Sequence, residues 1–359
     1  MSRRRSTFSQ LLAVAAIVLI GGCSSDDDDQ AGADVTATAA VTSPAGATTV
    51  EVTGAVTAPA TASVTASPST AAPASPIIEI ELLGSPDWLV ADDHGVWVRG
   101  EPGLVTLIDP ATNTEVGQVS VGGEPCQGLG AGAGSIFTCA GGDIVRIDPQ
   151  SMTVVATYPV GKAYSQGELA VSGNTLWVLL GDGSQLLPID TDTDTPATPI
   201  ALPVRGTDLA VGDTGLWVAS AVDDTVLHLD PTTGALLHTV GVPNSPFSLA
   251  IETDVWAMAA KETVRIDPAT GVVDLIVPVG GGDDGSVALS PGVVWVHDDE
   301  ALFTKIDRST ATLLVDSELE AAGAEIAARM TSAGDSVYAF GSIWATAHDD
   351  ARLFRVPVE

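Results

Sequence analysis

From residue 76 onward, short runs of alternating aliphatic and polar residues follow one another along the chain, separated by Gly, Asp and Pro. A period of two indicates half-buried β-strands, and the turn residues between the runs keep each strand short. The stretch between residues 209 and 240 predicts four strands, at Leu209–Val211, Leu216–Ser220, Thr225–Leu229 and Leu236–Val240. The pattern therefore predicts an all-β domain made of four-stranded antiparallel units.

This four-strand pattern recurs seven times, and each copy is marked by an aliphatic residue followed by an aromatic one. The aromatic residues are separated by 40, 40, 40, 39, 39 and 49 positions. The seven pairs are Val96-Trp97, Ile136-Phe137, Leu176-Trp177, Leu216-Trp217, Val255-Trp256, Val294-Trp295 and Ile343-Trp344. Four-stranded units of about 40 residues, stacked around an axis, form β-propellers. We therefore predict a seven-bladed β-propeller over residues 76–359.

The last unit is one strand short, and an extra strand precedes the first unit. The seventh unit contains predicted strands at Ser336–Ala339, Ile343–Ala347 and Leu353–Val358, whereas Ile77–Leu83 has no unit of its own. We expect this N-terminal strand to complete blade seven, because the pairing would close the ring and remove an exposed sheet edge.

A second marker, an aliphatic residue followed by Asp and often by Pro, ends the third strand of most units. In the turn from Asp230 to Gly234, Pro presets φ, Asp accepts a backbone hydrogen bond, and Gly takes the positive-φ position. We therefore predict a structural role for these aspartates, with catalysis as the alternative: Asp109, Asp148, Asp190, Asp230, Asp267 and Asp307.

The combined pattern of Leu-Trp-Val, Ile-Asp-Pro-x-Thr-Gly and Val-x-Val-Gly resembles the YVTN-repeat and virginiamycin B lyase-like propellers over about 280 residues. The resemblance implies the propeller fold, and such repeats say little about function. That lyase family uses a histidine base and a carboxylate-bound Mg²⁺. Its Ile-Thr-Glu-Phe type motif is absent and no His/Glu pair matches, so the activity is not carried over. The Gly-His and Trp-Asp signature of WD40 proteins is absent as well.

The N-terminal segment has the layout of a lipoprotein export signal. Three arginines (Arg3, Arg4 and Arg5) precede the apolar run Leu11–Ile20, and Gly21-Gly22-Cys23 follows it. The run is too short to span a bilayer comfortably, which takes about 17–25 residues. The small residues before Cys23 resemble the lipobox of bacterial lipoproteins, which implies cleavage before Cys23 and its acylation. We predict a signal peptide over residues 1–22 and a lipid-anchored protein on the extracytoplasmic side of the cell membrane; a plain secretory signal is the alternative.

Residues 23–75 have the composition of a tether. Four consecutive aspartates, Asp26 to Asp29, precede a segment of Ala, Thr, Ser, Val and Pro without an aromatic residue. Such a segment cannot bury enough apolar surface to offset its ordering entropy. We predict a disordered tether between the lipidated Cys23 and the propeller of residues 76–359.

The charge balance narrows the class of partner. The chain has 14 basic and 46 acidic residues, for a formal net charge of −32. Such a protein repels phosphate backbones, which excludes nucleic acid as an expected partner. We expect a monomer that contacts the membrane through its lipid and binds an extracytoplasmic protein, a peptide, or a cationic or small-molecule ligand.

Propeller topology gathers candidate ligand-binding residues on one face. The loops from the second to the third strand emerge on the same side as the connections between blades, and we call this side the first face. Crowded carboxylates there would favour a cation, and their hard oxygens favour Ca²⁺; the alternative is that a strongly acidic chain carries acids everywhere. The candidates are Asp87, Trp88, Asp208, Asp223, Asp224, Asp298, Asp299, Asp349 and Asp350.

Other chemistry along the chain is sparse. His297 and His348 each follow a predicted second strand and precede acidic residues, which makes them weak catalytic candidates. Cys126 and Cys139 flank the first hairpin of blade two, and an oxidising compartment would favour a disulfide between them. Because no catalytic motif interrupts the repeats, we favour a non-catalytic binding or scaffold module. The alternative is a lyase or hydrolase that uses loop carboxylates and a histidine at the channel mouth.

Overall fold

The computed structural model describes residues 60–61, 67–68, 77–122, 128–161, 163, 169–282, 285–298, 303–317, 319–320, 334–347 and 351–358. Their strands form seven sheets, one for each predicted unit. The inner strand of each sheet contacts the inner strands of the two neighbouring sheets, so the seven sheets form a ring. The predicted seven-bladed, all-β propeller is confirmed.

The strands are numbered in chain order. Three precede the first blade: β1 (Ala60–Thr61), β2 (Ser67–Pro68) and β3 (Ile78–Glu81). Blade 1 contains β4 (Ser85–Asp92), β5 (Gly95–Glu101), β6 (Leu104–Asp109) and β7 (Thr114–Ser120). Blade 2 contains β8 (Leu129–Gly132), β9 (Ser135–Ala140), β10 (Asp143–Asp148) and β11 (Thr153–Tyr158). Blade 3 contains β12 (Leu169–Ser172), β13 (Thr175–Leu180), β14 (Gln185–Asp190), β15 (Thr195–Pro196) and β16 (Ile200–Ala201).

The remaining blades repeat the same order from the inner to the outer strand. Blade 4 contains β17 (Asp208–Gly212), β18 (Gly215–Ser220), β19 (Thr225–Leu229) and β20 (Leu236–Gly241). Blade 5 contains β21 (Ser248–Ile251), β22 (Val255–Met258), β23 (Thr263–Asp267) and β24 (Val272–Val277). Blade 6 contains β25 (Ser286–Ser290), β26 (Val293–His297), β27 (Phe303–Asp307) and β28 (Leu313–Val315), and blade 7 contains β29 (Ser336–Ala339), β30 (Ser342–Ala347) and β31 (Arg352–Pro357).

The apolar core is divided among the seven junctions between neighbouring blades. Each junction has its own cluster of buried side chains, and the repeated aromatic residue of the second strand belongs to the cluster shared with the following blade. Trp217 of blade 4, for example, packs with Leu249 and Val255 of blade 5. Burial of one aromatic side chain at each junction, a tryptophan at six and Phe137 at the seventh, explains the spacing of about 40 residues, because one large side chain per blade is needed to fill the wedge between two twisted sheets.

The aspartates after the third strand form turns, as predicted. The carboxylate of Asp230 accepts the Thr232 and Thr233 N–H groups at 2.9 and 2.8 Å, and Gly234 has a φ of +69°. The same i to i+2 hydrogen bond recurs at Asp109, Asp148, Asp190, Asp267 and Asp307. Backbone bonds and hydroxyl bonds from the turn lower the pKa of each carboxyl, and at Asp307 the Ser309 hydroxyl has the largest effect. The aspartates are therefore ionised turn residues.

Strand β3 completes blade 7, also as predicted. It pairs antiparallel with β31, with Ile80 opposite Leu353. The Leu82 N–H donates to the Ala351 carbonyl at 2.8 Å, and Arg352 forms an ion pair with Glu79. Ile80 and Leu82 are buried against Leu89 of blade 1 in the junction where the ring closes.

Two dipeptides of the predicted tether lie beside outer strands. Strand β1 pairs parallel with β24 of blade 5, and β2 pairs parallel with β28 of blade 6. Residues 317, 319 and 320 are helical, while most of the longest connection, residues 321–333, lies outside the described residues. Within the described ranges, no helix has the length and apolar character needed to span a bilayer.

Candidate functional site

Polar side chains join neighbouring blades at the start of the inner strands, where the channel opens on the first face. In blade 4 this position is Asp208, which is almost completely buried. Its Oδ1 accepts the N–H of Leu209, and its Oδ2 accepts the N–H of Leu249 in blade 5, both at 2.7 Å. One carboxylate thus fixes the inner strand of its own blade and that of the next.

Asp335 repeats this arrangement where the ring closes. Its Oδ1 accepts the Ser336 N–H at 2.7 Å, and its Oδ2 accepts the Leu89 N–H of blade 1 at 3.3 Å. Hydroxyl groups take the same position in the two blades between: Ser248 Oγ accepts the Val287 N–H at 3.1 Å, and Ser286 Oγ lies 2.6 Å from Ser336 Oγ. Four consecutive junctions therefore have a polar bridge at the mouth.

Burial changes the proton affinity of the two carboxyl bridges. Desolvation raises the pKa of Asp208 well above its usual range, although two backbone N–H groups act in the opposite direction. Desolvation also raises the pKa of Asp335, and the negative charges of Asp208 and Asp87 raise it further. Three carboxyl groups from blades 1, 4 and 7 therefore influence one another electrostatically at the mouth.

A cavity of about 220 Å³ lies between the inner strands of blades 1, 5, 6 and 7. Its polar lining includes Ser248, Asp335 and Ser336 at the first face and Glu252 towards the opposite face. The volume is smaller than the roughly 300–1,000 Å³ of sites that hold drug-sized ligands. The cavity therefore suits a small polar molecule or a single side chain.

The second strands contribute a further buried position, two residues after the repeated aromatic residue. Its occupants are Arg99, Cys139, Leu179, Ala219, Met258, His297 and Thr346, and all are buried. Only Arg99 and His297 place an ionisable nitrogen group there. These two side chains interrupt an otherwise apolar or small-residue ring.

His297 is 1% exposed and stacks on Phe303 with 4.5 Å between ring centroids. Neither ring nitrogen forms a hydrogen bond. Burial lowers the pKa of His297 to about 4, against a weaker opposite effect of the Gly334 carbonyl. The imidazole is therefore neutral at pH 7, and it is enclosed at the junction of blades 6 and 7.

Arg99 is 2% exposed, and its Nη1 donates to the Gly100 carbonyl at 2.7 Å. Its Nε and Nη2 are buried without a hydrogen-bond partner. Desolvation lowers the pKa of Arg99, while the charges of Glu101 and Asp87 oppose this shift. The predicted ligand residue Trp88 packs against the junction of blades 1 and 2, and its Nε1 is also buried without a partner.

The structure places the predicted loop acids Asp223 and Asp224 in local hydrogen bonds. Asp223 Oδ2 accepts the Arg205 N–H and the Ser220 hydroxyl, each at 3.0 Å, and these bonds lower its pKa. Asp224 Oδ1 accepts the Ser245 N–H at 2.8 Å. Both residues thus brace the loops between blades.

The other predicted residues are described only in part. Asp298 is half-buried directly after β26, whereas Asp299, Asp349, Asp350 and His348 lie outside the described residues. In the part of the chain that the structure describes, no three His, Cys, Asp or Glu side chains come together to hold a metal ion. Cys139 is buried in β9 and Cys126 lies outside the described residues, so the Cys126–Cys139 disulfide stays a prediction.

Several residues at the mouth were not predicted from the sequence. Ser248 and Ser286 occupy the same repeat position as Asp208, one residue before the first aliphatic residue of the inner strand, whereas Asp335 stands two residues before Val337. An alignment of the seven units would have found the two serines. Arg99 is the one arginine among the seven residues at its repeat position. That break in the apolar pattern was the sequence feature that could have identified Arg99 as a candidate.

Comparison with known proteins supports the architecture alone. No protein-family model matches the sequence, and no curated protein is similar to it. The WD40 domain of Neurospora crassa Pan2 is 10% identical, with a TM-score of 0.61 over 77% of this chain and 90% of that chain. U3-55K is 10% identical, with a TM-score of 0.64 over 79% of this chain and 98% of that chain. The chain therefore has a WD40-like β-propeller fold.

Proposed function

We propose that this protein is a lipid-anchored, extracytoplasmic β-propeller of the YVTN-repeat type that acts as a non-catalytic binding module. The observation that carries the binding role is the cavity between blades 1, 5, 6 and 7, which has hydroxyl and carboxyl groups at its first-face rim. A small concave site with a few converging polar groups is the usual form of a ligand site. The ligand is a small molecule or one side chain of a peptide or protein.

The proposed location rests on the N-terminal sequence. Replacement of the acylated residue, Cys23→Ser, should move the protein from the membrane to the soluble fraction or block its processing, because a single serine cannot carry the lipid anchor. Ser24→Ala is the matched control and should leave fractionation unchanged. The measurement is membrane fractionation followed by mass determination of the N-terminal fragment. Unchanged membrane association of the Cys23→Ser protein would contradict the lipid anchor.

We also propose Ca²⁺ as a ligand of the acidic loops on the first face. CaCl₂ should raise the melting temperature in a saturable way, because a ligand that binds only the folded state stabilises it by mass action. The increase should disappear in the double variant Asp298→Asn, Asp349→Asn. NaCl at matched ionic strength is the control. Equal stabilisation by NaCl would mean that counterions, rather than a specific site, relieve the repulsion.

Lyase or hydrolase activity is the second candidate function, and His297 is the observation that favours it. A neutral imidazole is the form that accepts a proton, and Ser286 lies directly opposite His297 in the sheet. Neither ring nitrogen forms a hydrogen bond with Ser286 or with a carboxylate, so His297 lacks the oriented pairing of nucleophile and base that such a site requires. Turnover of a panel of esters and lactones that is abolished by His297→Gln or His348→Ala would favour this candidate.

A further inference from the structure

Blade 1 differs from the other blades at the first-face end of its inner strand. Pro86 is opposite Gly100 and Leu89 is opposite Val98, so Asp87 and Trp88 together face the single residue Arg99. The other six pairings between inner and second strands have no such shift within the described residues. Extra residues of this kind bend the strand and redirect side chains, and they are common next to binding sites.

Two side chains at this bulge, Arg99 and Trp88, have buried donors without acceptors. The guanidinium of Arg99 cannot lose its proton in a protein, so its buried Nε–H and Nη2–H groups need a partner. Trp88 adds a third such donor through Nε1. Five of the six tryptophans in the repeated position donate to an acceptor at 2.8–3.3 Å, and the sixth, Trp217, stacks on His228 instead.

At Arg265 of the same chain, the Nε and Nη2 groups bind a carboxylate. Arg265 Nε donates to Asp274 Oδ1 at 3.0 Å, and Arg265 Nη2 donates to Asp274 Oδ2 at 2.9 Å. This two-point pairing is the geometry in which a guanidinium recognises a planar carboxylate. At Arg99, the nearby charges of Asp87 and Glu101 act on the guanidinium through space, yet neither accepts a hydrogen bond from Nε or Nη2.

We propose that the Nε–Nη2 edge of Arg99 binds the carboxylate of a small organic acid or of a peptide, with Trp88 Nε1 as a third donor. A carboxylate is favoured over a phosphate because the chain has a net charge of −32 and Asp87, Asp208 and Asp335 lie at the same mouth. A monoanion meets less repulsion there than a dianion does. The proposal goes beyond the cavity between blades 1, 5, 6 and 7, whose lining does not include Arg99 or Trp88, and adds a second binding position at blade 1.

The test uses thermal denaturation and titration calorimetry of the full chain with three probes: acetate, N-acetylglycine as a mimic of a peptide C-terminus, and acetamide as an uncharged control. Acetate or N-acetylglycine should raise the melting temperature beyond NaCl at the same ionic strength, whereas acetamide should not. A response to both acids indicates a general carboxylate site, and a response to N-acetylglycine alone indicates a peptide terminus.

Two variants connect the response to the bulge. Arg99→Met should weaken acid binding roughly tenfold or more, because a charge-assisted pair is lost, and it should raise the melting temperature without ligand by removing an unpaired buried charge. Trp88→Phe removes the Nε1–H donor together with part of the indole ring, so it should weaken acid binding and also lower stability somewhat through the smaller side chain. Arg265→Met is the matched control, which should lower stability through the loss of the Asp274 pair and leave the acid response intact.

Different results separate the two proposals. If acids stabilise the Arg99→Met and Trp88→Phe variants as much as they stabilise the native chain, the acids bind elsewhere and the Arg99 site is overturned. If Arg99→Met instead lowers the melting temperature and Asp87→Asn lowers it by the same amount without additivity, an internal carboxylate is the partner of Arg99 and the ligand site is overturned. If no probe of any charge, Ca²⁺ included, binds the native chain, the binding function itself fails.

Discussion

Deletion of residues 76–83 should lower the free energy of unfolding far more than deletion of residues 24–74. The shorter deletion removes β3, the outer strand of blade 7, together with Ile80 and Leu82 at 7% and 8% exposure. Truncation of a large buried aliphatic side chain costs about 2–5 kcal/mol, and the β31 edge would lose its backbone partners. We therefore expect a loss of at least about 4 kcal/mol, counted from the two side chains alone.

Denaturant unfolding of both truncated chains measures this difference. A matched pair of point variants separates the side chains from the backbone: Ile80→Ala should cost about 2–4 kcal/mol, whereas Leu83→Ala, at 64% exposure, should change stability by less than about 0.5 kcal/mol. Equal melting temperatures for the two deletions would contradict closure of the ring by β3.

The free energy of unfolding should also fall as the pH rises from about 4 to about 8, by about 1.4 kcal/mol for each unit by which a carboxyl's folded pKa exceeds its unfolded pKa. The cause is the pair Asp208 and Asp335, whose pKa values burial raises above those of the unfolded chain. An acid with a raised folded pKa holds more protons in the folded state than in the unfolded state over this window. The two carboxyl groups therefore contribute their full stabilisation below about pH 4, the ordinary pKa of Asp. This stabilisation is lost as the pH rises through their pKa values in the folded state.

Urea unfolding at several pH values tests this behaviour. The variants Asp208→Asn and Asp335→Asn should flatten the pH dependence, even though each loses an acceptor for one of its two N–H donors and is less stable overall. Asp223→Asn is the control: its carboxyl is exposed and its pKa is lowered, so the slope between pH 4 and pH 8 should stay unchanged. A steep slope that persists in the double variant Asp208→Asn, Asp335→Asn would assign the effect to the overall negative charge of the chain.

The repeat allowed most of the fold to be predicted. In blade 4, each predicted strand matches the observed one to within one residue at either end. The reason is that the strands alternate strictly and the Asp-Pro turns bound them, so local sequence and tertiary packing require the same structure. The shared strand of blade 7 was also predictable, since a ring of seven aromatic markers with one surplus strand leaves only one way to close.

The candidate site was predictable only in its location. The sequence placed Asp87, Trp88 and Asp208 on the first face together with many other acids, but it could not separate a loop brace such as Asp223 from a buried bridge such as Asp208. Both are aspartates next to strands. They differ in whether the neighbouring blade covers them, and that depends on residues about 40 positions away.

The amino-acid sequence by itself determined the number of blades, the positions of their strands, the turn aspartates and the closing strand, because each of these follows from contacts within one unit or from its repetition. Only the tertiary structure decided which polar groups are enclosed. Asp208 and Asp335 bridge adjacent blades, and at the bulge of blade 1 the Nε and Nη2 groups of Arg99 are buried without an acceptor. Burial at a junction is a property of two blades packed together. No single repeat contains the surface that removes water from these side chains, and desolvation is what alters their chemistry.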